Sequence, residues 1–384
     1  MRKIGVVRLL HMILHRIYCA LQLHIDRYYD AICEDSVSKQ AFSAMRQNLN
    51  PAFIREIAEI STTIAAEDET LPCYHGKRLI ALDGSDVALE NTPELKKAFG
   101  CSGPKKQAAT ALCSIAFGPL DHVIYDFQID RYECDERDLA KRHVNRLTEL
   151  GLLGSLLLFD RWYPSAEFIG FLYETGFDFV MRVRRKWNVE ADEVKTQKWI
   201  TIITEGKPYP VRVLKVVLPT GEIETLLTSL NQKELPIRDA GALYFQRWSV
   251  ETEYDLLKSK LQLENFSGKT KTTVLQDFYA TMYLANLTAF ICGCADADIA
   301  ATDAGKNLKY ARQSNHNRAI AKLREEFIAL LLESNAALRR RLIDRMIAQI
   351  ARYPVSIVPG RSPTRKLPRS KRFHLAKKAV VGLN

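Results

Sequence analysis

The chain has 384 residues, 47% apolar and 26% charged, the composition of a soluble globular protein, which excludes a disordered or fibrous one. Its length exceeds the usual single domain, so a main domain with accessory pieces is expected. The net charge of +10 is concentrated in residues 360–384, which hold eight cations (Arg361, Arg365, Lys366, Arg369, Lys371, Arg372, Lys377, Lys378) and no acid. Outside that arm the two signs nearly cancel. Such a run is either a solubilising tail or an arm that contacts phosphates. The eight cysteines include no C-x-x-C pair and stand beside no histidine cluster, which argues against zinc and against a disulfide framework; reduced thiols in a cytoplasm are expected.

In chain order, MRKIGVVRLLHMILHRIY resembles a signal peptide in its opening, but Arg8, His11, His15 and Arg16 interrupt it at helical intervals and predict an amphipathic helix. Residues 1–75 read as helical. Ser36 and Ser38 offer N-caps for the short helix SKQAFSAMRQNL, and Asn50-Pro51 opens another. The pair fits a DNA-reading unit or a plain helical bundle equally well. A strand is predicted over 78–89, a hairpin over 107–117 and 120–129 turned at Gly118-Pro119, and a helix over about 135–151. A short strand ending at Asp160 follows, then a helix opened by Pro164 and closed by Gly176, then the strand FDFVMRVR. Strand-like text continues in KWITIIT, YPVRVLKVVL and EIETLLTSL, with a turn at Pro219-Thr220-Gly221. The uncharged run Phe278 to Ala295 matches a membrane span in length, yet Thr281, Asn286, Thr288 and Gly293 within it favour a core helix. From about residue 301 the chain is helical again, up to the basic arm. No internal repeat is present.

Three places carry chemistry. The apolar runs RLIALDGSD and LLLFDRWYPS each end in an aspartate, Asp83 and Asp160, followed by turn-forming residues. Buried strands that deliver a carboxylate where a loop begins are how α/β sheets present functional groups. Downstream, YFQRWSVETEYDLLKSK places Tyr244, Arg247, Glu251 and Lys258 within an arc of about 60° on a single helix. A face bearing a carboxylate, two cations and a phenol suits a metal ion beside a phosphodiester. The same face also reads as the solvated, salt-bridged side of an amphipathic helix. Two aspartates and a third carboxylate are enough for Mg²⁺, a hard ion that keeps several waters. Glu253 lies about 180° from Tyr244 and is expected to face away. Asp255 points in nearly the same direction as Glu251, and helical geometry alone does not choose between them.

In these residues the chain resembles the DDE transposases of bacterial insertion sequences, in the family-four branch marked by a tyrosine–arginine–glutamate–lysine signature. Tyr244, Arg247, Glu251 and Lys258 match the signature spacing, and Trp248 fits the family habit after the arginine. Asp83-Gly84-Ser85 matches the first motif, and Asp160-Arg161-Trp162-Tyr163 matches the second, with Trp162 in place of the usual glycine. The resemblance covers roughly residues 30 to 365 and selects Glu251 over Asp255.

It implies an α/β fold: an RNase H-like catalytic core with a β-rich insertion, a helical N-terminal domain and a helical, basic C-terminal region. The expected layout is 1–75 for the helical N-terminal, DNA-binding candidate; 76–182 for the first part of the core; 183–237 for the insertion; 238–300 for the rest of the core; and 301–384 for the helical C-terminal region. In that fold Asp83 and Asp160 sit on neighbouring strands. Asp83, Asp160 and Glu251 would be the catalytic, metal-binding carboxylates, holding two Mg²⁺ ions, with Mn²⁺ able to substitute. Tyr244, Arg247 and Lys258 would contact DNA phosphates, and Tyr244 would not be a nucleophile. Trp187 and Trp199 are candidates for stacking a flipped base, or for core packing. The expected partners are double-stranded DNA (terminal inverted repeats and target) and a second copy in a synaptic homodimer, with no membrane; the expected location is the bacterial cytoplasm, at the nucleoid when DNA-bound. Two other readings share the residues: an inactive transposase-derived DNA-binding protein, and a metal-dependent nuclease without strand transfer.

Overall fold

The computed structural model describes residues 4–15, 19–103, 107–218 and 221–358. The expected basic arm at 360–384 lies outside them. Two compact units divide the chain, one formed by residues 52–286 and the other by the flanking segments 1–51 and 287–384.

The flanking unit begins with three helices, α1 (Val6–Leu14), α2 (Leu21–Ala31) and α3 (Lys39–Gln47). Ser38 is the N-cap of α3, its hydroxyl accepting the Ala41 N–H at 3.2 Å. Next along the chain, α4 (Pro51–Glu67) starts with proline at its first position, where the missing N–H costs nothing.

The larger unit is built on one mixed sheet. Its strands are β1 (Leu79–Ala88), β2 (Cys101–Ser102), β3 (Ala108–Phe117), β4 (Ile124–Arg131), β5 (Leu156–Phe159), β6 (Asp178–Val183), β7 (Gln197–Thr204), β8 (Lys207–Val217) and β9 (Ile223–Thr228). Between them lie α5 (Pro93–Phe99), α6 (Glu136–Glu149), α7 (Ala166–Thr175) and α8 (Val189–Glu193). The strand order is β2-β3-β1-β5-β6-β9-β8-β7, with β4 also pairing β3. The first three long strands run antiparallel, whereas β5 is parallel to β1 and β6 is parallel to β5. β5 is LLLF, buried at every position, as a central parallel strand must be when helices cover both faces. The architecture is mixed α/β around one large mixed sheet.

Three details depart from the sequence expectation. First, the strand predicted over 78–89 is found, but Gly84 and Ser85 are extended residues within it and not a turn after Asp83. β1 runs on to Ala88 because β3 keeps pairing it, from Asp83↔Ile115 to Ala88↔Thr110. The partner that stops is β5, whose last pair with β1 is Ala81↔Leu158, so the sheet opens on the β5 side of Asp83. Second, the hairpin turn is longer than Gly118-Pro119; β4 starts at Ile124, and His122 takes a positive φ of 61° in the turn. Third, the β-rich insertion is part of the main sheet, since β9 pairs antiparallel with β6 along Val180↔Thr228 to Val183↔Thr225.

The chain returns through α9 (Ile237–Phe245), α10 (Trp248–Ser259) and α11 (Lys271–Asp303). α11 is the one helix among the described residues long and apolar enough to cross a membrane, but its apolar window is mostly buried inside the protein. Asn286 shows why. Its fully buried amide accepts the Ile124 N–H at 2.8 Å and donates to Ile124 O at 2.9 Å and to Ser61 Oγ at 3.0 Å, satisfying β4 where its pairing begins. The flanking unit then ends in α12 (His316–Leu332) and α13 (Ala336–Ala351), with a two-residue ladder joining β10 (Arg312–Gln313) to β11 (Val355–Ser356). Replacing Asn286 by Leu would leave the Ile124 N–H and C=O buried and unpaired, and should lower the urea-unfolding free energy by about 2–4 kcal/mol at unchanged m value.

Candidate active site

Asp83 and Asp160 are brought together by strand register. The pairs Leu79↔Leu156, Ile80↔Leu157 and Ala81↔Leu158, continued by two residues, set Asp83 level with Asp160, which stands directly after β5. Each carboxylate is oriented by its own backbone: Asp83 Oδ1 accepts the Gly84 N–H at 3.0 Å and Asp160 Oδ1 accepts the Arg161 N–H at 2.5 Å. Burial pushes the Asp83 carboxyl up to about 7; the Arg247 guanidinium and the Gly84 N–H oppose this, and the Glu136 and Glu251 carboxylates reinforce it.

The signature residues do not occupy one regular helix. Between α9 and α10 the N–H groups of Gln246, Arg247, Ser249 and Val250 each bond the carbonyl three residues back. The chain tightens there to a 3₁₀-like turn, which changes the angular phase on either side. Tyr244 is consequently buried, 3% exposed, and its hydroxyl donates to Phe159 O at 3.3 Å, the residue before Asp160. Arg247 is also buried, with Nη1 3.5 Å from Asp83 Oδ2 and Nη2 2.8 Å from Glu251 Oε1. The guanidinium thus links the strand carboxylate to the helix carboxylate. Lys258 reaches β1, its Nζ donating to Ser85 Oγ at 2.7 Å and to Asp86 O at 2.5 Å. Asp255 is exposed, and Glu251 is the helix carboxylate that Arg247 holds. Glu253 is 7% exposed, and burial pushes its carboxyl up to about 8.

Behind Asp83 stands a polar network absent from the sequence reading. The Asp83 carbonyl accepts Tyr254 Oη at 3.0 Å and Ser114 Oγ at 3.2 Å, and Tyr254 Oη also lies 3.1 Å from Cys113 O. Ser114 Oγ is 2.9 Å from His143 Nε2, and His143 Nδ1 is 2.6 Å from Asp126 Oδ2, which Gln128 also contacts at 3.1 Å. Serine, histidine and aspartate in line suggest a nucleophile, but Ser114 is 2% exposed and directed at a backbone carbonyl. The chain is a brace for β1. Its sequence signal was the polar interruption of two apolar strands, Ser114 in ATALCSIAF and Asp126 in IYDFQID.

Of the two tryptophans singled out for stacking, Trp187 donates its indole N–H to Pro164 O at 3.1 Å, and Trp199 is 44% exposed on β7, at one edge of the sheet. Trp162 is the exposed aromatic nearest Asp160 in the chain, 55% exposed, with the Arg184 guanidinium 3.8 Å from its ring centroid.

Among the described residues, no three His, Cys, Asp or Glu side chains stand close enough together to hold a metal ion as they are placed. The donor chemistry nonetheless fits a hard divalent cation: Asp83, Asp160 and Glu251 offer only carboxylate oxygens, and Arg247 supplies the positive charge between two of them.

Two outcomes follow. Tyr254→Phe strips a donor from two buried carbonyls and should cost about 1–3 kcal/mol in denaturant unfolding. For Glu253, the folded carboxyl titrates near 8 and the unfolded one near 4.5, so the folded state holds the extra proton between these values. Stability should therefore fall as pH rises from 4.5 to 8 and then level off. Glu253→Gln should raise Tm more at pH 8 than at pH 5; an equal change at both would contradict the buried placement.

Comparison with known proteins identifies the family. A family model described as "Transposase DDE domain" matches residues 74–287, over half the chain and spanning Asp83, Asp160, Glu251 and the brace. No curated protein matches. Among solved structures, the cryo-EM structure of a piggyBac transposase synaptic complex with hairpin DNA is similar at a TM-score of 0.44 and 12% identity, covering 93% of this chain and 76% of that one. The chain belongs to the DDE transposase-domain family.

Proposed function

We propose that the protein is an insertion-sequence transposase of the family-four branch that binds terminal inverted repeats, cuts the element ends and joins the 3′ ends to target DNA. The observation that carries this reading is the meeting of Asp83, Arg247 and Glu251, from a strand and a helix 164 residues apart in sequence, beside an Asp160 set level by strand register. Asp83, Asp160 and Glu251 would hold Mg²⁺ or Mn²⁺, which when bound lowers the pKa of the attacking hydroxyl and stabilises the leaving oxygen.

The residues themselves have distinct tasks. Arg247 holds Asp83 and Glu251 together before DNA arrives, and with its charge close to the incoming phosphodiester it neutralises charge that builds during displacement. Lys258, anchored on Ser85 and Asp86 O, presents a cation at the far end of α10 for a strand phosphate. Tyr244 keeps the end of β5 in place through Phe159 O, which fixes where Asp160 leaves the strand. The basic arm contacts phosphates without reading bases, and two copies act together because two element ends must be paired.

Cleavage of a labelled element end by the full-length protein tests the reading. Asp83→Ala, Asp160→Ala and Glu251→Gln should abolish cutting while retaining DNA binding, and Asp255→Asn should reduce it modestly at most. Full activity in excess EDTA, or loss with Asp255→Asn but not Glu251→Gln, would sink the assignment. Product joined to a target plasmid separates a transposase from a nuclease, and binding without any cleavage marks the inactive DNA-binding alternative. Deleting residues 360–384 should weaken DNA binding and flatten the slope of log K against log salt; an unchanged slope makes the arm a solubility tail.

A further inference from the structure

The flanking unit carries positive charge that is ordered on one helix. Residues 336–353 hold five arginines and one acid, Asp344, which Arg340 takes at 2.9 Å. At 100° per residue Arg341, Arg345 and Arg352 fall within an arc of about 40°, turned away from the side of α13 that buries Met346 and Ile350. All three arginines are exposed, and Ala348, exposed beside them on the same stripe, adds only a methyl group. Arg345 touches Glu326 at 3.3 Å yet keeps 55% of its side chain exposed. At about 1.5 Å of rise per residue the stripe is roughly 16 Å long.

Its C-terminal end is held by an aromatic ring. Tyr353, 51% exposed, has the Arg318 guanidinium of α12 4.1 Å from its ring centroid and that of Arg352 5.7 Å away. A π face steadies a cation and leaves its charge uncompensated, whereas a carboxylate would cancel it. A face that serves solubility alone carries both signs interspersed. Here one sign is kept clear, and the chain goes on in the same sense. Just past Tyr353, β11 pairs β10 and the Ile357 N–H bonds Ala311 O at 2.8 Å. The backbone is thus pinned after α13, immediately before the eight cations of 360–384.

We propose that the outer face of α13 is a DNA-backbone surface, on which Arg341, Arg345 and Arg352, with Arg318 beside Tyr353, receive phosphates of a duplex. One strand of a duplex carries a charge about every 3.4 Å of its axis, so a stripe of this length meets several. Such contacts give affinity without reading bases, and they add to those of the arm. The inference rests on the DNA-processing reading above and gives it a surface outside the unit that holds the carboxylates.

The experiment measures binding of full-length protein to a fluorescent duplex of arbitrary sequence, by anisotropy across a salt series. The triple variant Arg341→Gln, Arg345→Gln, Arg352→Gln should raise Kd on the order of tenfold or more. The slope of log K against log salt should shrink by about two to three, since each lost phosphate contact removes about 0.9. Its Tm should match wild type, because all three side chains are exposed. The corresponding triple lysine variant keeps the charge and should restore most of the affinity. Ala348→Glu sets a carboxylate in the stripe and should also weaken binding; it decides the matter should the triple glutamine form fail to fold. Unchanged Kd and salt slope in the glutamine and Ala348→Glu variants overturn the surface. Unchanged duplex binding with lost binding to phosphatidylserine vesicles also overturns it, and assigns the face to a membrane. A wild-type protein that binds duplex through this face yet never cuts an element end overturns the transposase reading and keeps the surface. Failure of the wild-type protein to bind duplex DNA overturns both.

Discussion

Carboxylates crowded into one poorly hydrated place repel one another, and the surrounding structure is arranged to withstand that repulsion. Two unit charges about 4 Å apart repel by ~4 kcal/mol at the effective dielectric of a protein surface, against a total folding stability of roughly 5–15 kcal/mol. Parallel pairing of β1 with β5 fixes the level of Asp83 and Asp160 along the sheet. Arg247 offsets the repulsion, reaching Asp83 and Glu251 from a buried position where a cation could not remain without such partners. Burial chiefly, with the Glu136 and Glu251 carboxylates adding to it, still lifts the Asp83 carboxyl to about 7 against the pull of Arg247.

Resistance to that repulsion comes from the backbone rather than from the carboxylates. Asp83 is held through its carbonyl by two hydroxyls from opposite directions, Tyr254 on α10 and Ser114 on β3. The first couples the strand to the helix that carries Glu251; the second passes through His143 to Asp126 and so couples it to α6 and β4. α10 meets β1 again through Lys258 at Ser85 and Asp86. Strand and helix are therefore tied at two points, at Asp83 itself and at Ser85–Asp86, which is what preorganised charge requires.

Much of this was legible in the sequence, for physical reasons. LLLF followed by Asp160 could only be a central strand with an acid at its exit, and the even spacing from Tyr244 to Lys258 marked a helix with one polar face. What escaped was of two kinds. The strand predicted over 78–89 is present, but Gly84 and Ser85 read locally as a turn, while a distant partner, β3, keeps them extended. The break after Phe245 was missed because helical projection assumes a constant pitch. The brace needed long-range knowledge: Ser114, Asp126 and His143 lie on three elements, and only their burial together gives them meaning.

The insertion's attachment has a consequence for how the core keeps itself from associating with other chains. β6, with its apolar stretch FVMRV, pairs with β5 on one side and with β9 on the other. Without β7 to β9 it would be the sheet's margin, presenting unpaired N–H and C=O groups beside buried apolar side chains, the template on which strands of other molecules add. The inserted strands move that margin outward to β7, where exposed and buried residues alternate and Lys198 is ion-paired to Glu190. The segment that separates Asp160 from Glu251 along the chain thus also shields the main sheet from edge-to-edge aggregation.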